Sequence, residues 1–188
     1  GTDALPFFSS DGDDLVFVSG RDGRMHIWSA AIKDGRRVGE PVQLTFGDWT
    51  DYVPRISPDG SMLAWLRNRD DEENLWIRSL VGEAEPRALT QGRRIRNFWW
   101  EPENRSMLVS GDWEGEGLTL RRVSSIDGSI SLTDLPIDFG RDDIGGTGFA
   151  SGSISLSSDG RYSVHTQTSM RSDLWVIEVE ENLSDSDD

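Results

Sequence analysis

Arginine and tryptophan side chains are the strongest candidates for a binding site in this sequence. A guanidinium group is planar, stays charged and can donate two parallel hydrogen bonds to one carboxylate, while an aromatic ring offers a flat apolar surface. Such groups together suit a peptide or another carboxylate-bearing ligand. The candidate ligand-binding residues are Arg67, Arg69, Arg93, Arg94, Arg96, Trp49 and Trp113. The alternative is ion pairing with the nearby carboxylates of Asp22, Asp48, Asp51, Asp70, Asp71 and Asp112.

An acidic run at residues 70–73 raises the question of a metal site. Calcium is a hard cation and needs clustered oxygen ligands, which Asp and Glu provide. The run does not follow the spacing of a calcium-binding loop, however. We therefore expect no cofactor and leave Ca²⁺ at residues 70–73 open as the alternative.

The sequence contains few residues in patterns typical of a catalytic site. The two histidines, His26 and His165, both fall inside predicted strands, and the sequence contains no G-x-S-x-G nucleophile motif. Paired carboxylates are abundant, but an acidic chain contains many such pairs by chance. We expect that the protein is not an enzyme.

Composition limits the possible partners. The 188 residues carry a net charge of −15, which disfavours nucleic acid as a partner because nucleic acid needs a positive field on the protein. No apolar run approaches the roughly 20 residues that span a bilayer, so we expect no membrane insertion. The acidic, serine-rich residues 180–188 are predicted to be a disordered tail.

A repeated turn organises the rest of the chain. The pattern S-x-D-G occurs at residues 9–12, 57–60 and 157–160, and a degenerate form, EPEN, occupies 101–104. The third residues of these turns are spaced 48, 44 and 56 residues apart. Each turn follows a short apolar segment and precedes two strand-like runs, and Trp28, Trp76 and Trp175 occupy matching places in the second run. The chain therefore consists of four copies of one unit.

Four short strands recurring about every 50 residues are typical of propeller blades. A fourth strand is visible at residues 42–45 and 87–90, and more loosely at 130–135. A β-sandwich is the alternative, but it does not explain the matched tryptophans. We predict an all-β propeller of four blades over residues 1–179, with blades at about 5–46, 53–90, 96–137 and 153–179 and the last one incomplete.

The repeat resembles that of the TolB-type (WD40-like) β-propeller family. The shared pattern is P-x-x-S-x-D-G-x-x-L-x-[FW] followed by [IL]-W, carried in the first copy by Pro6, Ser9, Asp11, Gly12, Leu15, Phe17, Ile27 and Trp28 and in the second by Pro54, Ser57, Asp59, Gly60, Leu63, Trp65, Leu75 and Trp76. The resemblance implies a propeller fold and a place in the bacterial cell envelope or periplasm, and it says little about activity. Family members usually have six or more blades. The four blades therefore close alone, pair with a second chain as a homo-oligomer completing a larger ring, or form a section of a longer propeller.

A propeller fold brings the candidate residues to one face. Connections between the second and third strands of a blade emerge on the same face as connections between blades. These connections are predicted at residues 67–74, 111–117, 46–52 and 91–97, and they hold the candidate arginines and tryptophans. The alternative for the tryptophans is that each packs onto its own blade.

Three functions fit these observations. The leading hypothesis is a non-catalytic binding or scaffolding module that recognises a peptide or protein through this face. The second is an accessory, substrate-filtering propeller of a peptidase. The third is a glycan-binding module that uses Trp49 and Trp113.

Overall fold

The computed structural model describes residues 2–70, 72–82, 84–113 and 118–133, followed by three strands at 154–156, 162–167 and 173–178. The regular secondary structure of these residues is β-strand, so the all-β prediction is confirmed. The strands are β1 (Asp3–Phe8), β2 (Asp14–Ser19), β3 (His26–Lys33), β4 (Arg36–Gln43), β5 (Thr50–Ile56), β6 (Met62–Arg69), β7 (Glu72–Ser79), β8 (Arg87–Ala88), β9 (Arg94–Trp100), β10 (Ser106–Asp112), β11 (Leu118–Ser124), β12 (Ile130–Leu132), β13 (Ile154–Leu156), β14 (Tyr162–Gln167) and β15 (Asp173–Glu178).

The strands form four blades of antiparallel meanders. Blade 1 is β1 to β4, blade 2 is β5 to β8 and blade 3 is β9 to β12, and blade 4 contributes β13 to β15 to the described residues. A single parallel pair, Glu73 with Arg94, joins blades 2 and 3. The first strands of successive blades are neighbours, since β1 contacts β5, β5 contacts β9 and β9 contacts β13. This radial order of first strands confirms the propeller prediction.

The repeated turn is a hydrogen-bonded link between the first and second strands of a blade. In blade 2 the Ser57 hydroxyl donates to the Asp59 carboxylate at 2.6 Å and accepts from the N–H of Met62 at 2.9 Å. Gly60 has a φ of 76°, which only glycine adopts without strain. The hydrogen bond from Ser57 lowers the pKa of Asp59. In blade 3, Asn104 occupies the glycine position with a φ of 61°.

The core lies between the blades. One apolar cluster joins blade 1 to blade 2, where Val16 and Ile27 pack against Ile56, Leu63 and Trp65. A second cluster joins blade 2 to blade 3 and includes Leu66, Leu75, Phe98 and Met107. Blade stacking is therefore what buries the apolar side chains of each sheet.

The predicted loop at residues 67–74 is wrong. Strand β6 continues through Arg69 and β7 begins at Glu72, so the hairpin connection is short, and Asp70 within it has a φ of 54°. Arg94 and Arg96 likewise lie in β9, not in the connection predicted at 91–97. Apolar packing ends near Leu66, but backbone pairing needs no apolar side chains and continues beyond it.

Some predictions lie outside the described residues. These are the tail at 180–188, part of the connection predicted at 111–117, and residues 138–152 between the third and fourth predicted blades. Among the described residues there is no helix with the length and hydropathy needed to cross a membrane.

Candidate functional site

The guanidinium of Arg67 lies between two tryptophan rings. Its Cζ atom is 4.3 Å from the ring centroid of Trp49 and 4.3 Å from that of Trp76. Trp76 in turn stacks on Trp65, with ring centroids 6.4 Å apart. Adjacent antiparallel strands place these groups together, because Trp65 pairs with Trp76 and Arg67 pairs with Asn74 across β6 and β7.

Trp49 reaches this position through the connection between blades 1 and 2. Gly47 has a φ of 119°, and a Cβ atom there would lie 2.4 Å from the indole ring of Trp49. The chain therefore folds tightly beneath the ring, and only glycine fits at this point.

Asp51 neutralises Arg67 inside the protein. The carboxylate is fully buried and accepts hydrogen bonds from Arg67 Nε at 2.6 Å, Arg67 Nη2 at 3.0 Å and Trp65 Nε1 at 3.0 Å. A bidentate pair of this kind holds the guanidinium rigidly between the rings. Arg67 was predicted to bind ligand, and the structure shows its charge already engaged within the chain.

His26 lies behind this ion pair. The residue is buried at the start of β3, with Nδ1 3.6 Å from Asp51 Oδ2 and Nε2 3.9 Å from Asp22 Oδ2. Nδ1 makes no hydrogen bond within the part of the chain that the structure describes. The ring thus contacts two carboxylates, an arrangement that differs from a nucleophile and base pair.

A pocket opens beside the stacked rings. Its volume is about 300 Å³, and it is lined by Trp49, Arg67, Arg69, Asp70, Glu72, Asn74 and Trp76. Three of the seven predicted site residues, Trp49, Arg67 and Arg69, therefore share one cavity. Arg69 is 69% exposed, and its Cζ lies 5.8 Å from the Trp49 ring.

The rim of the pocket is acidic. Arg69 Nε lies 3.4 Å from Asp70 Oδ2, and both side chains are exposed. Glu72 Oε2 accepts a hydrogen bond from Asn74 Nδ2 and one from the N–H of Gly92, each at 3.2 Å. Exposed ion pairs are weak, so a ligand carboxylate can compete with Asp70 for Arg69.

The remaining predicted residues lie at the junction of blades 2 and 3 and do not line this pocket. Arg93 Nη1 donates to the carbonyl oxygen of Trp113 at 2.5 Å, and the Trp113 side chain is buried in the core. Glycan binding therefore has one exposed aromatic residue fewer than predicted. Arg94 pairs across the sheet with Asp112, and Arg96 Nη1 is 3.4 Å from Glu73 Oε2.

Glu73 of β7 contacts both Arg96 of blade 3 and Tyr52 of its own blade. Its carboxylate also accepts a hydrogen bond from the Tyr52 hydroxyl at 2.6 Å. Burial, and then the bond to this carboxylate, raise the pKa of Tyr52. Arg96 and Arg67 therefore both form ion pairs within the chain, as the alternative to ligand binding proposed. The partner of Arg67 is Asp51, and that of Arg96 is Glu73.

Trp76 was predicted only as a matching residue of the repeat, and Asp51 only as one of six possible ion-pair partners. Asp51 and Arg67 stand 16 residues apart across the turn of blade 2 and are directly paired between β5 and β6. Opposite charges at paired strand positions were the signal that could have identified them.

The calcium alternative concerns the hairpin tip that borders this pocket. Within the described residues no group of three or more His, Asp or Glu side chains is arranged to hold a metal ion. Asp71, one member of the run, lies outside the described residues.

The sequence matches no protein-family model and no curated protein. The structure is similar to that of TolB from Acinetobacter baumannii, with a TM-score of 0.67 and 18% identity over 94% of this chain and 41% of that one. A TolB-type structure from Agrobacterium tumefaciens gives a TM-score of 0.68 and 18% identity over 94% of this chain and 58% of that one. A puromycin-hydrolyzing peptidase from Mycobacterium tuberculosis gives 0.61 and 19% over 97% of this chain and 28% of that one.

The chain therefore spans less than two thirds of each of these structures. The similarity extends over nearly all of the chain. The chain has the TolB-type β-propeller fold.

Proposed function

We propose that this propeller module is non-catalytic and binds a peptide or protein segment in the pocket beside Trp49 and Trp76. The observation that carries the proposal is the rigid stack of Trp49, Arg67 and Trp76, held from behind by the buried Asp51. Two preorganised rings next to an exposed guanidinium can receive an extended chain with little loss of side-chain entropy.

The ligand side chain that this pocket suits best is a carboxylate. Arg67 is already neutralised, so the available cation in the pocket is Arg69, whose ion-pair partner among the described residues is the exposed Asp70. A ligand Asp or Glu would replace Asp70 on Arg69 while its aliphatic part lies on Trp49. The neighbouring Glu72 makes the site selective, because a second negative charge close by would be repelled.

The test is binding of short peptides containing Asp or Glu, each compared with the same peptide containing Asn or Gln. Binding is followed by tryptophan fluorescence and calorimetry. We expect Arg69→Ala to weaken binding of the acidic peptides roughly 10-fold or more, because a hydrogen bond to a charged group contributes about 1.5–3 kcal/mol. The matched control is Arg37→Ala, since Arg37 is also exposed and lies 3.6 Å from a carboxylate, that of Glu40.

Folded Arg69→Ala and Trp49→Ala variants with unchanged affinity for every bound peptide would overturn the proposal. If Arg96→Ala weakens binding and Arg69→Ala does not, the site lies at the junction of blades 2 and 3 instead.

A second candidate function is the accessory propeller of a peptidase. The similarity to the puromycin-hydrolyzing peptidase supports it, because this chain matches only 28% of that protein. The discriminating measurement is the mass of the native polypeptide that carries this sequence, together with hydrolysis of aminoacyl-naphthylamides by that polypeptide. A much larger polypeptide with such activity would favour the peptidase function over the binding module.

A further inference from the structure

Arg55 is a half-buried cation among the first strands of blades 1, 2 and 3. It lies in β5, which contacts β1 of blade 1 and β9 of blade 3. Phe7 in β1, Arg55 in β5 and Trp99 in β9 each stand two residues before the repeated turn, and each pairs with the second strand of its own blade. The three side chains therefore occupy equivalent positions, and Arg55 is the charged member of the set.

Aromatic rings from both neighbouring blades lie against the Arg55 guanidinium. Its Cζ atom is 5.5 Å from the ring centroid of Phe7 in blade 1. In blade 3 it is 5.8 Å from the Phe98 ring and 5.6 Å from the Trp99 ring. Phe98 is fully buried and Trp99 nearly so. The cation thus lies in apolar surroundings, where its attraction to an anion is stronger than in water.

No carboxylate among the described residues pairs with Arg55. Its guanidinium makes one hydrogen bond within that part of the chain, from Nη2 to Asn97 Oδ1 at 3.4 Å, and the buried Nε–H has no acceptor there. Asn97 Oδ1 is also shared, since it accepts the N–H of Phe98 at 2.9 Å. Burial lowers the pKa of Arg55 to about 10, the direction expected for a cation whose burial no negative charge offsets.

Two other arginines that contact aromatic rings differ from Arg55 in this respect. Arg67, between its tryptophan rings, pairs with Asp51 at 2.6 Å. Arg21 lies over two rings of blade 1, with Cζ 5.3 and 4.7 Å from their centroids, and Nη2 donates to both oxygens of Asp3 at 3.2 Å. The described part of the chain thus supplies a carboxylate to each of these two guanidinium groups and none to Arg55.

We propose that Arg55 binds an oxyanion, the carboxylate, sulfate or phosphate group of a ligand, among the first strands of the blades. One oxyanion accepts two parallel hydrogen bonds from an edge of a guanidinium group, and its charge offsets the buried cation. The rings of Phe7 and Trp99 offer apolar surface to the rest of the ligand. Arg55 does not line the pocket beside Trp49, so this site is separate from the proposed peptide site.

The test is titration of the purified chain with sodium sulfate, sodium phosphate and sodium acetate. Sodium chloride keeps the ionic strength at about 0.15 M, where the Debye length is about 8 Å and repulsion from the net charge of −15 is largely screened. Binding is followed by the melting temperature, which a ligand of the folded state raises, and by the nitrogen–proton resonance of Arg55 Nε. We expect at least one anion to raise the melting temperature and to shift this resonance until it saturates. A stronger response to acetate assigns a carboxylate ligand, and a stronger response to sulfate or phosphate assigns a tetrahedral oxyanion.

The variant Arg55→Met removes the charge and keeps much of the side-chain length. It should weaken affinity for the bound anion about 10-fold or more. Arg55→Lys keeps the charge but cannot donate two parallel hydrogen bonds, so it should also bind more weakly than the wild type, and it tests the site if Arg55→Met fails to fold. The matched control is Arg21→Met, since Arg21 also contacts two rings but is paired with Asp3. This control should keep the wild-type affinity.

Three results would overturn the proposal. The first is an Arg55 resonance that none of the three anions shifts. The second is equal anion affinity in the wild type and in a folded Arg55 variant. The third is a large fall in the melting temperature of Arg55→Met without added anion, because removal of an uncompensated buried charge should leave stability unchanged or raise it. Such a fall would show that the chain itself already compensates the cation.

Discussion

Asp51 carries a buried negative charge on which three neighbouring side chains depend. Arg67 and Trp65 donate hydrogen bonds to its carboxylate, and His26 lies 3.6 Å from it. Removing one partner of a buried pair leaves the other charge without compensation, and this loss usually exceeds the net stabilisation that the intact pair provides. The position of Arg67 between the tryptophan rings therefore depends on Asp51.

The first prediction is that Asp51→Asn destabilises the protein by about 3–5 kcal/mol, because Arg67 keeps its charge without a buried partner. Urea unfolding followed by circular dichroism measures the loss. Asp3→Asn is the matched control: Asp3 also accepts two hydrogen bonds from one arginine, but the pair is exposed and contributes at most about 1 kcal/mol. Equal losses in the two variants would contradict the assigned role of Asp51.

Individual residues were predicted from the sequence with mixed success. Seven residues were expected on one face, and three of them, Trp49, Arg67 and Arg69, line the same pocket of blade 2. Trp113 was a candidate for ligand contact, with packing onto its own blade as the alternative, and the structure buries it. Its indole N–H donates to the carbonyl oxygen of Thr119 at 3.1 Å. This contact crosses a hairpin, and no local sequence pattern predicts it.

At the level of the element, the outer hairpins connect neighbouring blades. Arg87 of β8 in blade 2 donates from Nη2 to the carbonyl oxygens of Ser125 and Ile126, at 2.6 and 2.8 Å, in the outer turn of blade 3. Gly128 in the same turn packs directly on the backbone of Leu89. The turn thus serves both as a chain reversal and as an interface.

The second prediction compares two Asp-Gly turns. Gly35 and Gly128 have similar positive φ angles of 71° and 75°, so alanine costs about 1–2 kcal/mol of strain at either. A Cβ atom at Gly128 would lie 2.6 Å from the carbonyl oxygen of Leu89, whereas one at Gly35 meets nothing within 4 Å. We expect Gly128→Ala to lower the free energy of unfolding by about 1–3 kcal/mol more than Gly35→Ala. Indistinguishable urea midpoints would contradict this prediction and show that the backbone at Leu89 shifts to accommodate the added methyl group.

The positions of strands were predictable, but their lengths were not. The turns at residues 9–12 and 57–60 carry their own hydrogen-bonding residues, so each one identifies the strands on either side. Residues 67–74 are all polar, and this polarity indicated a loop. Cross-strand pairs such as Arg69 with Glu72 stabilise an extended hairpin without burial, which hydropathy alone does not detect.

For the whole molecule, the repeat predicted how blades stack but not how the series ends. Matched positions such as Leu15, Leu63 and Met107 follow from the turn spacing. Whether a position is covered depends on the neighbour, so Leu63 is fully buried and Leu15 is only half-buried. The pattern within one blade does not specify that neighbour, so the repeat alone could not predict the different burial of Leu15 and Leu63.

The last prediction concerns the net charge of −15. The excess carboxylates repel one another in the folded state and destabilise it. Raising sodium chloride from about 0.01 M to about 1 M shortens the Debye length from roughly 30 Å to roughly 3 Å. We expect the melting temperature, at one fixed low protein concentration, to rise by at least about 2 °C, which corresponds to about 1 kcal/mol for a domain of this size. The double variant Asp13→Lys and Glu103→Lys changes two exposed sites and makes the net charge four units less negative. It should therefore raise the melting temperature at low salt and reduce the dependence of that temperature on salt. A melting temperature that falls with salt in both proteins would show that attractive ion pairs, such as those of Arg21 and Arg122, outweigh the repulsion.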